Sequence, residues 1–153
     1  MIGRTIGLLV GILSASQGLA QDQSRQLGQA VGEVKALQRS IEYVAKNCGD
    51  IAVQLTTSWV QKNRIAVNKA DAVFERVLQE TAKHSGQQAA NDVKKSFDEM
   101  AASSVEKNVG KLSTLPPDQK AFVCKQFVSS AAAGKWDFNS KYPDDYQFLM
   151  SIK

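Results

Sequence analysis

Two cysteines, a single histidine and three aspartates near the C-terminal end are the residues of this 153-residue chain whose types and spacing could do chemistry. Cys48 and Cys124 lie 76 positions apart. Neither belongs to a CxxC pair, and neither has a histidine or second cysteine nearby to complete a metal-ligand set. Catalytic thiols need a helix start or an adjacent cation to hold the thiolate. Lys46 and Lys125 are close in sequence, yet both cysteines fall on apolar helical stripes, which predicts a structural disulfide instead.

His84 stands in the segment Ala82-Lys83-His84-Ser85-Gly86. A cation at a helix C-terminus is stabilised by the helix dipole, which accounts for it without catalysis. No nucleophile elbow accompanies it, and one imidazole cannot build a histidine-based zinc site. Asp144 and Asp145 follow Pro143, with Asp137 seven residues earlier. Adjacent residues on a helix point about 100° apart. The pair therefore reads as the acidic first turn of a short helix. It also lacks the glycine and terminal glutamate of an EF-hand loop. The expectation is a chain without catalytic residues, metal ligands or cofactor, and not an enzyme.

The compartment follows from the first twenty residues. Arg4 supplies a positive front end, Thr5 to Leu13 is apolar, and Ser14 to Ala20 turns small and polar. Gly18 and Ala20 stand at minus three and minus one before Gln21. That is the plan of a cleavable signal peptide. The apolar run is about half of the roughly 20 residues that a membrane span requires. The expected product is a periplasmic or secreted domain over residues 21–153, with no stable membrane insertion after cleavage. Arg4 is the only charge in the signal, so this domain keeps 18 basic against 15 acidic residues, a net +3. Such a mild balance is not the dense basic footprint of a nucleic-acid binder.

The elements that position these residues are helical. Alternating strand-like runs are missing, and Ala, Gln, Lys, Glu and Leu dominate. Leu27, Val31, Val34, Leu37, Ile41, Val44 and Cys48 recur at steps of three and four, the stripe of an amphipathic helix. The phase continues through Ile51, Leu55 and Trp59, so the helix is expected to continue past Gly49 with a kink, or else to break there. A connection over 63–67 leads to a helix capped by Asn68 and ending near His84. A further helix spans 87–111. The Leu115-Pro116-Pro117 stop starts another helix at Pro117, with Phe122, Cys124, Phe127, Val128 and Ala131 along its stripe and Gly134 at its end. A short helix from Pro143 closes the chain. The expected fold class is all-α, a bundle of four to five helices cross-linked by Cys48–Cys124 with a short C-terminal helix.

With no reaction implied, function is expected to rest on contact with a protein partner, as in an inhibitor or immunity protein. Two surfaces are candidates. One is the narrow stripe Leu27, Val31 and Val34 of the Gln-rich opening helix, which suits a partner helix or a second copy in a homodimer. The other is the aromatic tail, with Trp136, Tyr142 and Tyr146, because aromatics concentrate at interface hot spots. The alternatives are an envelope chaperone or assembly component acting through the opening helix, and a ligand-binding or enzymatic bundle whose pocket is assembled from distant residues.

Overall fold

A computed structural model describes residues 21–152. The expected signal peptide, residues 1–20, lies outside the described residues. The described residues are all-α, with seven helices: α1 (Gln21–Cys48), α2 (Leu55–Lys62), α3 (Arg64–Ser85), α4 (Gln87–Val109), α5 (Pro117–Ala132), α6 (Phe138–Lys141) and α7 (Pro143–Ser151). Two 3-10 turns, Gly49–Ala52 and Gly110–Thr114, join α1 to α2 and α4 to α5.

The organising element is α1. It packs along α4 and also meets α2, α3 and α7. Its periodic residues Leu27, Val31, Val34, Leu37, Ile41 and Val44 are all buried. Close approach to α4 is permitted by Gly32, where an added Cβ would lie 3.1 Å from the end of Met100. Across α3 and α4 the core continues through Val73, Val77, Val93 and Phe97, with the rings of Phe74 and Phe97 4.4 Å apart. Two buried polar residues return their hydroxyls to their own helices. Ser40 Oγ donates to the Ala36 carbonyl at 2.8 Å, and Thr81 Oγ1 to that of Val77 at 2.7 Å. At the surface Arg39 and Lys94 converge on Asp98, and Lys35 meets Asp71.

The helix breaks at Gly49, which takes the left-handed region at φ +58. The chain then turns through Gly49–Ala52 before α2 resumes burial with Leu55 and Trp59. The break takes Ile51 out of phase, and it ends exposed. Nor does the connection expected over 63–67 exist. Asn63 alone separates α2 from α3, and Asn68, expected to cap a helix, lies inside α3. Pro117, Gly134 and Pro143 act as their chemistry predicts: helices begin at each proline, and α5 ends just before the glycine, which has positive φ. The four-residue helix α6 was not anticipated.

Candidate interaction site

The sulfurs of Cys48 and Cys124 are bonded, with Cα atoms 5.6 Å apart. The bridge ties the end of α1 to the middle of α5. Tyr43, on α1, donates its hydroxyl to the Gly110 carbonyl at 3.0 Å, so the turn leading to α5 is held from the same helix. Only one side of α5 is covered: Cys124, Phe127 and Ala131 are buried, whereas Phe122 and Val123 are exposed. Phe122 was expected on the buried stripe. It instead stands two residues before the cysteine, on the outward side, 62% exposed.

Among the described residues five large hydrophobics are exposed: Ile51, Val53, Ile65, Phe122 and Val123. Four of these lie within five residues of one end or the other of the same disulfide; Ile65 alone does not. Scattered single apolar residues are ordinary on a surface, but a concentration of them marks a contact site. Beside them runs a groove of about 370 Å³ between α2 and α5. Its apolar lining includes Ile51 and Val53 themselves together with Leu55, Trp59, Val128 and Ala131, and Asp50, Lys62 and Asp137 supply charges of both signs. Lys62 Nζ donates across it to the Ala132 carbonyl at 3.3 Å.

The end of the groove is built on Asn63. Its side-chain oxygen accepts the Phe138 N–H at 2.8 Å, while its amide donates to the Trp59 carbonyl at 2.9 Å and to Asp137 at 3.3 Å. Trp59 donates its indole N–H to the Trp136 carbonyl at 2.7 Å. These bonds fix the tail, after Gly134, against α2. Asn63→Ala is expected to destabilise the protein by about 1–3 kcal/mol, because the buried Phe138 N–H then loses its acceptor. Urea denaturation measures this, and an unchanged midpoint would exclude the junction as a structural tie.

The candidate surfaces read from sequence occupy other places. Leu27, Val31 and Val34 are buried inside the bundle, so the stripe is core and not a free face. The same period serves either purpose, and α1 is already surrounded by its own helices. The aromatic tail is folded back as well. Trp136 packs on Phe127 with ring centroids 4.3 Å apart, donates to Ser130 Oγ at 3.0 Å, and carries Lys141 Nζ 3.7 Å above its ring. The rings of Tyr142 and Tyr146 stand 6.1 and 6.0 Å from that of Phe138. All three residues are half-buried.

A comparison with known families, with curated proteins and with solved structures gave no match.

His84 is exposed at the end of α3 with its ring nitrogen 3.2 Å from Glu80, the one-turn pairing of a helix surface. Asp144 is exposed but Asp145 is buried, a difference that the helix-start reading did not anticipate. Asp145 faces α1, where Gln29 donates to its carboxylate at 3.2 Å. One turn further along α1, Glu33 accepts a hydrogen bond from the Tyr142 hydroxyl. Burial is the leading cause that raises both carboxyls above their ordinary range, and each is pushed further by a second carboxylate: Asp145 beside Glu33, Asp144 beside Asp145. Burial and the Glu33 carboxylate push the Tyr142 hydroxyl up to about 12, so it stays a donor. Among the described residues no group of three or more His, Cys, Asp or Glu side chains is placed to hold a metal ion.

Proposed function

We propose that this chain is an exported, non-enzymatic factor that binds another protein through the apolar end built around Cys48–Cys124. The observation that carries the reading is the concentration of Ile51, Val53, Phe122 and Val123 about one disulfide. Each such side chain withdrawn from water contributes about 1.5–3 kcal/mol when fully buried. Four of them suffice for the anchor of a modest interface, with the neighbouring groove taking a protruding side chain. The bridge holds these residues on two separate segments in fixed relation, which lowers the ordering cost of association.

Export is supported by the signal-like first twenty residues and by the disulfide, since such bonds persist in oxidising compartments. No helix among the described residues is long and apolar enough to cross a membrane. A second reading, a ligand-binding bundle, is favoured by the Trp59-lined groove alone.

The test places a photo-crosslinking side chain at position 53, 122 or 65 in the exported protein within the producing cell. Positions 53 and 122 are expected to give one discrete adduct with another protein, and position 65, equally exposed and apolar, none. The adduct should disappear in Phe122→Asp combined with crosslinking at 53, while the melting temperature stays unchanged. Equal labelling from all three positions, or no adduct from 53 and 122, would sink the reading.

A further inference from the structure

Where α7 meets α1, a buried carboxyl and a half-buried one lie on the two sides of a helix–helix contact, and among the described residues the donors bonded to them are neutral. Asp145 is 8% exposed and takes a hydrogen bond from the Gln29 amide. Glu33 takes one from the Tyr142 hydroxyl. A buried carboxylate without a bonded cation is costly when ionised and cheap when protonated.

The charged neighbours do not remove that cost. On α1, Arg25 is engaged in an interaction of its own. On α3, Lys69 spends its ammonium on the Met150 carbonyl at 3.0 Å. On α6, Lys141 attracts Glu33 but sits over the Trp136 ring. Asp144, on α7 itself, opposes ionisation of Asp145.

We infer that the C-terminal segment, residues 138–152, is a latch that acid closes: with Glu33 and Asp145 neutral it docks firmly on α1, and their ionisation as pH rises loosens it. The sign follows from linkage. Both carboxyls are raised in the docked state relative to the free chain. Docking is therefore strongest below the ordinary carboxylate range and weakens as pH rises through the raised values. The loosened segment would bring Phe138, Tyr142, Tyr146 and Leu149 into contact with water. These include the tail aromatics that the closed form packs on the bundle, so the pH would set whether they can be reached. This inference stands apart from the apolar end at the disulfide.

Amide hydrogen exchange of the oxidised protein, corrected for the intrinsic pH dependence of exchange, tests it between pH 4.5 and 7.5. A global reading would mix in Asp98, whose carboxyl Lys94 and then Arg39 hold below its ordinary range, so that its contribution falls with acid. Protection of residues 138–152 is expected to rise on acidification relative to residues 64–109. The rise should be progressive, and it reaches its full extent only below the ordinary carboxylate range, where the free chain also takes up the protons. Glu33→Gln and Asp145→Asn, close in shape and permanently neutral, should each reduce the pH dependence and give more protection at pH 7.5 than the parent. A flat profile in the parent protein, or loss of protection in both neutral variants, would overturn the inference.

Discussion

Replacing Cys48 and Cys124 together by alanine is expected to lower stability by about 4–5 kcal/mol, the chain-entropy value for a 76-residue separation. Domains are stable by about 5–15 kcal/mol, so this is roughly a quarter or more of the total. The effect should be larger for this chain than for one whose bridged elements are well packed anyway. Helix α5 is covered on one side only, by α1, α2 and the two 3-10 turns, and the bridge is its sole covalent tie to α1. Without it the free chain gains the full loop entropy, while the fold keeps little to hold α5. Urea denaturation of the oxidised and cysteine-free forms measures the difference. A midpoint that does not move would show the bridge to be structurally idle. The same experiment bears on export: a form made and kept in a reducing compartment should melt roughly 10–20 °C below the oxidised one. The Ile51 and Phe122 segments should also lose their fixed relation. Crosslinking from positions 53 and 122 should therefore weaken even in samples held well below the melting point.

The bridge was legible because both cysteines sit on apolar stripes and no other cysteine competes for them. Pro117, Gly134 and Pro143 were legible because their backbone restrictions act locally, whatever the rest of the chain does. The stripe that marks α1 is buried from Leu27 to Val44, and its last member, Cys48, is half-buried. Periodicity failed where it was extended across a backbone break. Ile51 stays in phase with Val44 and Cys48 in sequence, but Gly49 at positive φ turns the chain and leaves Ile51 in water. Phe122 failed for a related reason. A phenylalanine two residues from a buried cysteine resembles core, and only the sparse covering of α5 leaves it outside. The pairing of Gln29 with Asp145 spans 116 positions and has no local signature. Nothing in the Pro143-Asp144-Asp145 segment distinguishes the exposed aspartate from the buried one until α7 is laid on α1. The site residues that sequence missed are thus those defined by contacts between distant elements.

Phe138→Ala is expected to cost about 3–5 kcal/mol, the range for truncating a fully buried phenylalanine. Phe138 has no exposed surface and is the largest fully buried side chain among the described residues. Its ring is near those of both Tyr142 and Tyr146, and its N–H is tied to Asn63. The ring thus joins α6 to α7, while the backbone N–H, which the substitution keeps, ties the segment to the α2–α3 junction. The cost has a ceiling, however. If residues 138–152 can leave the bundle while the rest stays folded, a variant cannot lose more than the free energy with which that segment docks, because beyond that point it simply remains undocked. Chemical denaturation read together with hydrogen exchange separates the cases. A loss of 3 kcal/mol or more makes the segment an integral part of the cooperative core. A smaller loss, with residues 138–152 unprotected and residues 64–109 still protected, measures the docking free energy directly. Adding Asp145→Asn to that variant should then restore protection at neutral pH, because it relieves the buried charge on the same segment. If neither stability nor protection changes in Phe138→Ala, Phe138 contributes no packing energy and the tail is not held by its aromatic core.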